Sequence, residues 1–259
     1  MTAPMRPPTS ETATRFALPE ERAVALVFNG STAGVMMATP KDLPDFLRGF
    51  ALSEGIITRA TDLHEIEVIE HADGFEVRGQ IPPDRAQALD ARRRLSVGPV
   101  GCGLCGIDSL AAAAQRPPAA LNGRGTVIAA GPAVLNALEA AQQDHGLIGG
   151  MHAAAYFTES GLIALRGDVG RHNALDKVLG AVAGGDLAQG GILMTSRLSV
   201  DLVQKCLRAG VPVLISVSRP TTAAVALAQA ANMTMIVLTK GGPITFAQGK
   251  LQPSGEANS

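Results

Sequence analysis

GILMTSRLSVDLVQKCLRAGVPVLISVSRPTTAAVALAQAANMTMIVL, residues 191–238, is the stretch whose reading decides the fold. Short aliphatic runs at Gly191–Thr195, Val213–Val217 and Met233–Leu238 read as strands. Between them, Ser199 caps a helix closed by Gly210, and Thr221–Ala231 reads as a second helix. Strands separated by helices of about ten residues indicate βαβ units and a mixed or parallel sheet. Outward from this core, Ala153–Phe157 and Leu162–Arg166 read as further strands and His172–Ala183 as a helix. Pro132–Asp144 reads as another helix, with Pro at its first position. The second half is therefore expected to be a doubly wound α/β domain.

The first half has a different rhythm. Ala23–Phe28 runs into Asn29-Gly30, a hairpin signal, and Ala33–Ala38 is the return strand. Thr39-Pro40 reads as a helix start, followed by Leu43, Phe46, Leu47, Phe50 and Ala51 on one face, with Gly55 at the end. Ile66–Glu70 and Phe75–Arg78 form a second hairpin around Asp73-Gly74, and Asp84–Leu95 is a polar helix. The expected plan is a frayed N-terminus (1–14) and a small α+β domain (15–97). A cysteine loop with a linking helix (98–131), an α/β domain (132–250) and a frayed tail (251–259) follow.

Composition excludes several function classes. The 259 residues carry 22 Lys+Arg against 23 Asp+Glu, no Trp, one Tyr and seven Phe. A basic footprint or a base-stacking platform for nucleic acid is absent from such a chain. Apolar residues are 46% and charged ones 17%, as in a folded globular protein. Three cysteines do not make a disulfide scaffold, and the N-terminus has no apolar stretch of signal-peptide type. The longest uncharged run, Pro220–Thr239, contains four Thr, Gln229 and Asn232 and is a poor membrane span. A cytoplasmic protein with reduced thiols is expected.

Cys102 and Cys105 lie in Gly98-Pro-Val-Gly-Cys-Gly-Leu-Cys-Gly106. Gly101, Gly103 and Gly106 spell a dinucleotide fingerprint, but no Asp or Glu falls between Asp108 and Glu139 to hold a ribose. One C-x-x-C is half of a structural zinc site, and His152-Ala-Ala lacks the Glu of a zinc deaminase. No metal is expected. Two thiol chemistries fit: a dithiol redox couple, or a carrier in which one thiolate holds a persulfide. Both gain from glycine-loop amides and a following helix N-terminus, which lower a thiol pKa. Two small residues in a tight turn is the alternative without chemistry. Cys206, inside Leu202–Ala209, reads as core.

A second constellation suits an anion. Gly149-Gly150-Met151-His152 precedes a strand, and Asp168-Val-Gly-Arg-His-Asn173 precedes a helix. Arg197 follows the strand Gly191–Thr195. Asp168, Arg171, His172 and Arg197 all fall at strand ends, where open α/β sheets bind ligands, and a phosphate-bearing ligand is expected there.

Taken in order, these blocks resemble the formate dehydrogenase accessory sulfurtransferase family, FdhD/NarQ. The matching residues are Asn29-Gly30, Thr39-Pro40, Gly49-Phe-Ala-Leu-Ser-Glu-Gly-Ile56, Gly101-Cys-Gly-Leu-Cys-Gly106 and Gly149-Gly-Met-His152. Asp168-Val-Gly-Arg-His-Asn-Ala-Leu-Asp-Lys177, Arg197-Leu-Ser199 and Pro220-Thr221 complete the set. The resemblance implies a cytidine-deaminase-like three-layer α/β domain without zinc, beside a smaller N-terminal α+β domain. It implies a sulfur carrier that takes persulfide sulfur from a cysteine desulfurase. The sulfur passes to the molybdenum cofactor, a bis(molybdopterin guanine dinucleotide), before its insertion into formate dehydrogenase. Cys102 and Cys105 would be the catalytic pair. Gly149, Gly150, His152, Asp168, Arg171, His172, Asn173 and Arg197 would bind the cofactor, with Leu238, Thr239, Lys240, Gly241, Gly242 and Pro243. A homodimer is compatible with this reading. The chain departs from the family's pattern at Gly167, where a Glu is usual, at Arg219, where an Ala is usual, and across Leu238–Pro243, where only the basic Lys240 survives. A dithiol oxidoreductase, and a cofactor-binding chaperone that moves no sulfur, are the alternatives.

Overall fold

Asn29 and Gly30 both take left-handed backbone, with φ of 49° and 79°. This is the geometry a two-residue hairpin needs, and it joins β1 (Arg22–Phe28) to β2 (Ser31–Ala38). The computed structural model describes residues 18–87, 89, 123–124, 133, 135–140, 149–249 and 251–252. The second expected hairpin is also present, as β3 (His64–His71) and β4 (Gly74–Gln80). β4 pairs with β1 in parallel, giving the order β2-β1-β4-β3. A Cβ on Gly74 would overlap the carbonyl oxygen of Ala23, so glycine permits that close pairing.

The helix expected from Thr39 begins later, as α1 (Leu43–Ser53), after Asp42 in left-handed conformation (φ 57°). Thr39 is occupied elsewhere. Its N–H donates to Asp168, its hydroxyl accepts from the Val169 N–H, and its carbonyl accepts from Lys177. Leu43, Phe46, Leu47 and Phe50 share a core with Val24, Leu26, Phe28 and Val77 of the small sheet. Gly49 meets α2 (Arg171–Ala181). A Cβ on Gly49 would overlap the Asp176 carbonyl, and one on Gly180 would overlap the Asp45 carbonyl. The two helices therefore cross backbone to backbone, and α1 is the layer shared by the two halves.

β5 (Gly123–Arg124) is a two-residue strand. The large sheet contains β6 (His152–Thr158), β7 (Gly161–Asp168), β8 (Gly191–Met194), β9 (Val213–Ser216), β10 (Thr234–Thr239) and β11 (Gly242–Ala247). Their order is β11-β10-β9-β8-β6-β7. β8, β9 and β10 run parallel; β6 is antiparallel to β7 and β8, and β11 to β10. α3 (Val200–Arg208) and α4 (Thr222–Ala230) are the crossovers. Residues of α2, α3 and α4 bury one face of this sheet with Ala154, Tyr156, Ile192, Met194, Leu214 and Met235. Leu135 and Leu138, from a helical segment within 135–140, cover the opposite face at Ala153, Ala155, Leu193, Val213 and Ile215. The result is the three-layer α/β domain expected, with a smaller α+β unit packed on α2. Leu251–Gln252, expected in the frayed tail, instead form β12, paired in parallel with β5.

Candidate anion-binding rim

Strand direction collects the ligand candidates on one side. β8, β9 and β10 end there, β7 ends there at Asp168, and β6 starts there at His152, opposite Asp168. The loops leading into α2, α3 and α4 all leave from this rim.

Asp168 builds the first loop but is fully buried. One oxygen accepts from the Gly170 N–H at 2.8 Å and from Asn173 Nδ2 at 3.0 Å. The other accepts from Lys177 Nζ at 2.6 Å and from the Thr39 N–H. Asn173 Nδ2 also donates to the Met37 carbonyl at 2.9 Å. Asp168 and Asn173, both expected to bind the cofactor, are therefore internal clasps that fix the turn and fasten the small domain to it. Arg171 and His172, between them, are left half-exposed on the rim.

His172 Nε2 pairs with Asp201 in the first turn of α3. Burial pushes the His172 pKa down to about 4, outweighing the attraction of Asp201, and Arg171 adds to the decrease. Burial and then Arg171 also lower the His152 pKa, against the pull of Asp168. Both imidazoles are thus held toward the neutral form, and the positive charge of the rim comes from guanidinium and ammonium groups. Arg171, Arg197, Arg219 and Lys240 have no ion-pair or hydrogen-bond partner for their side chains among the described residues, and the Arg171 Nε is buried. Ser199 is 8% exposed, and its hydroxyl also lacks a partner, leaving the N-terminus of α3 without a side-chain cap. Unsatisfied donors and unpaired cations at a helix start are the ordinary elements of an oxyanion site.

Gly149 and Gly150 form an exposed turn before β6. Leu238, Thr239, Lys240, Gly241, Gly242 and Pro243 form the β10–β11 hairpin, in which Thr239 Oγ1 donates to the Gly242 carbonyl at 2.7 Å. Their backbone lies on the same rim as Arg197. Cys102 and Cys105 lie outside the described residues. Cys206 is fully buried, as expected. Among the described residues, no group of three or more His, Cys, Asp or Glu is placed to hold a metal ion.

The FdhD/NarQ family pattern matches residues 19–248. The chain belongs to this family. A protein named sulfur carrier protein FdhD from Agrobacterium fabrum is 44% identical over 234 residues, covering 87% of this chain and 84% of that one. One of the same name from Xanthomonas euvesicatoria is 43% identical, covering 83% and 78%. A crystal structure from Desulfotalea psychrophila, its protein assigned by inference as a formate dehydrogenase accessory protein, superposes with a TM-score of 0.65. It covers 88% of this chain and 87% of its own at 22% identity, and so shares the fold.

Sequence reasoning passed over a second buried cluster. Ser53 Oγ and Asp176 Oδ1 are 2.6 Å apart, and Lys205 Nζ reaches Asp176 at 2.9 Å and Glu54 at 2.7 Å. Burial opposes the Lys205 charge, but Asp176 and Glu54 together outweigh it and raise the pKa. The cue was Ser53-Glu54 directly after the apolar face of α1, where two polar residues continue a buried helix.

Proposed function

We propose that this chain is a sulfur carrier that matures formate dehydrogenase by passing persulfide sulfur to the molybdenum cofactor in the cytoplasm. The observation that carries this reading is the 44% identity, over most of both chains, to a protein named as a sulfur carrier. The cysteine pair supplies the chemistry. The Cys102 thiolate attacks the outer sulfur of a desulfurase persulfide, forming Cys102–S–SH and releasing the donor's thiolate. Cys105 then either takes the sulfur onward or attacks Cys102 Sγ. The second course forms a disulfide and expels hydrosulfide, and a cellular thiol must afterwards reduce the pair. The glycines that flank both cysteines in the sequence suit such a thiolate.

The substrate end of the reading rests on the rim. A bis(guanine dinucleotide) cofactor carries two diphosphates, and Arg171, Arg197 and Lys240, unpaired among the described residues, suit such groups around the uncapped α3. Asp168 and Asn173 hold the turn that presents Arg171.

The test is mass spectrometry after incubation with a cysteine desulfurase and cysteine. Wild type and Cys206→Ser gain one sulfur atom, mapped to Cys102, and Cys102→Ser gains none. An adduct that survives in Cys102→Ser and disappears in Cys206→Ser defeats the assignment. No adduct on any variant favours a chaperone that moves no sulfur.

A further inference from the structure

Three cations on the rim occupy equivalent positions. Ser216 of β9 pairs with Met194 of β8 on one side and with Val237 of β10 on the other. Arg197, Arg219 and Lys240 each lie three residues beyond a member of that row. Adjacent strands are roughly 4.8 Å apart, so the row of Met194, Ser216 and Val237 from which the three loops depart spans roughly 10 Å. No carboxylate occurs in 195–199, 217–221 or 239–242.

The first two loops repeat one motif. Ser196-Arg197-Leu198-Ser199 leads into α3, and Ser218-Arg219-Pro220-Thr221 leads into α4. They are tied side by side. The Val217 N–H donates to the Met194 carbonyl at 3.3 Å, and the Thr221 N–H to the Leu198 carbonyl at 2.9 Å. Ser216, fully buried, donates its hydroxyl to the Ser196 carbonyl at 2.7 Å and accepts from the Ser218 N–H at 2.8 Å. The copies differ in one respect. Thr221 caps its own helix, accepting from the Ala224 N–H at 3.2 Å, whereas the buried hydroxyl of Ser199 has no partner and α3 has no side-chain cap.

We propose that Arg197, Arg219 and Lys240 form an in-register clamp for a diphosphate, in which Arg219 selects two linked phosphates over one. The inference rests on the nucleotide-cofactor reading above and names the group by which the rim holds that ligand. Arg197 and the uncapped end of α3 take the first phosphate, drawn by the guanidinium and the backbone N–H groups, while the Asp201 carboxylate of the first turn is engaged with His172. The end of α4 is already satisfied by Thr221, so Arg219 is the charge that receives the second phosphate. Lys240 flanks it from the next strand. Ser216 is the positioning residue that keeps the two arginine loops at one-strand spacing.

The experiment is calorimetric titration of the full chain with pyrophosphate, phosphate, GDP and GMP. Wild type, Arg219→Ala, Arg219→Gln and the small-domain control Arg85→Ala are compared. Wild type is expected to prefer pyrophosphate to phosphate and GDP to GMP. Both Arg219 variants should lose about tenfold or more for the diphosphates, as for a charged hydrogen bond, and change less than about threefold for GMP on the same basis. Arg85→Ala should leave all four ligands unchanged. GDP binding that Arg219→Ala does not alter, or an equal loss for GDP and GMP, overturns the clamp and leaves the cofactor reading standing. Pyrophosphate binding that depends on Arg219, with no gain from the guanosine, supports the clamp and removes the guanine part of the reading. Failure of wild type to bind any of the four overturns both.

Discussion

His172 shows how one side chain couples the rim to stability. Its pKa is near 4 in the folded protein, against about 6.5 in an unfolded chain. Between those values the unfolded state binds more protons, so stability is highest above pH 6.5 and falls as pH drops toward 4. Linkage gives a loss of about 2 kcal/mol between pH 7 and pH 5 for this group. Urea unfolding at the two pH values should show that loss in wild type and a correspondingly smaller one in His172→Gln; equal losses would remove His172 as the cause. Lys205 is a sharper case. Lys205→Met strands Asp176, fully enclosed, beside Glu54 without its cation. A cost of about 3–5 kcal/mol is expected for an uncompensated buried charge, and adding Asp176→Asn should recover part of it. Denaturant titration of the two variants measures both values.

At the level of elements, the crossing of α1 and α2 is the tightest backbone approach among the described residues. Gly49 and Gly180 each face a carbonyl of the opposing helix at a distance that leaves no room for Cβ. Gly180→Ala must separate the helices, at a cost of about 1–3 kcal/mol or more, the range for overpacking. Gly184→Ala, three residues past α2 with nothing near its added Cβ, is the matched control and should stay within about 0.5 kcal/mol of wild type. Thermal denaturation of the pair makes the comparison. Similar effects would show that the crossing relaxes easily. Because α2 also begins at Arg171, a shift in this crossing moves a residue of the rim.

On the scale of the whole molecule, two buried charge clusters join the halves. Asp168 and Lys177 hold Thr39 and, through Asn173, Met37; Asp176 and Lys205 hold Ser53 and Glu54. Both clusters bridge the small α+β unit and the helices that cover the large sheet. Neither unit can leave without exposing charges that lack partners, so the two are expected to unfold together. Cys206 reports on this. It is fully buried within α3, and burial raises its pKa well above that of a free thiol. In a Cys102→Ser, Cys105→Ser background, a thiol reagent should label Cys206 only at the denaturant concentration where helical circular dichroism is lost. Labelling well before that transition would mean that the α/β domain opens by itself. Among the described residues, no helix is long and apolar enough to cross a membrane.

The sequence alone determined what depends on local pattern. Asn29-Gly30 set a hairpin because only a few residues accept left-handed backbone at low cost. The aliphatic runs between 191 and 238 set parallel strands because helices of that length can return the chain only to the same end of a sheet. The strand-to-helix turn at Asp168–Asn173, with Arg171 and His172 at the helix start, was also legible. Tertiary structure decided the division of labour inside that turn. Asp168 and Asn173 carry the same polar chemistry as a ligand contact, and only the arrival of Thr39 and Met37, more than a hundred residues earlier in the chain, turns them inward. It decided Ser53 as well, since nothing in α1 itself supplies the Asp176 and Lys205 that partner its buried hydroxyl. The repeated Ser-Arg motifs at 196–199 and 218–221 could be seen in the sequence, but their alignment with Lys240 follows from strand order and register. Those are set by which apolar faces meet in the folded core, a choice that no local stretch of residues contains.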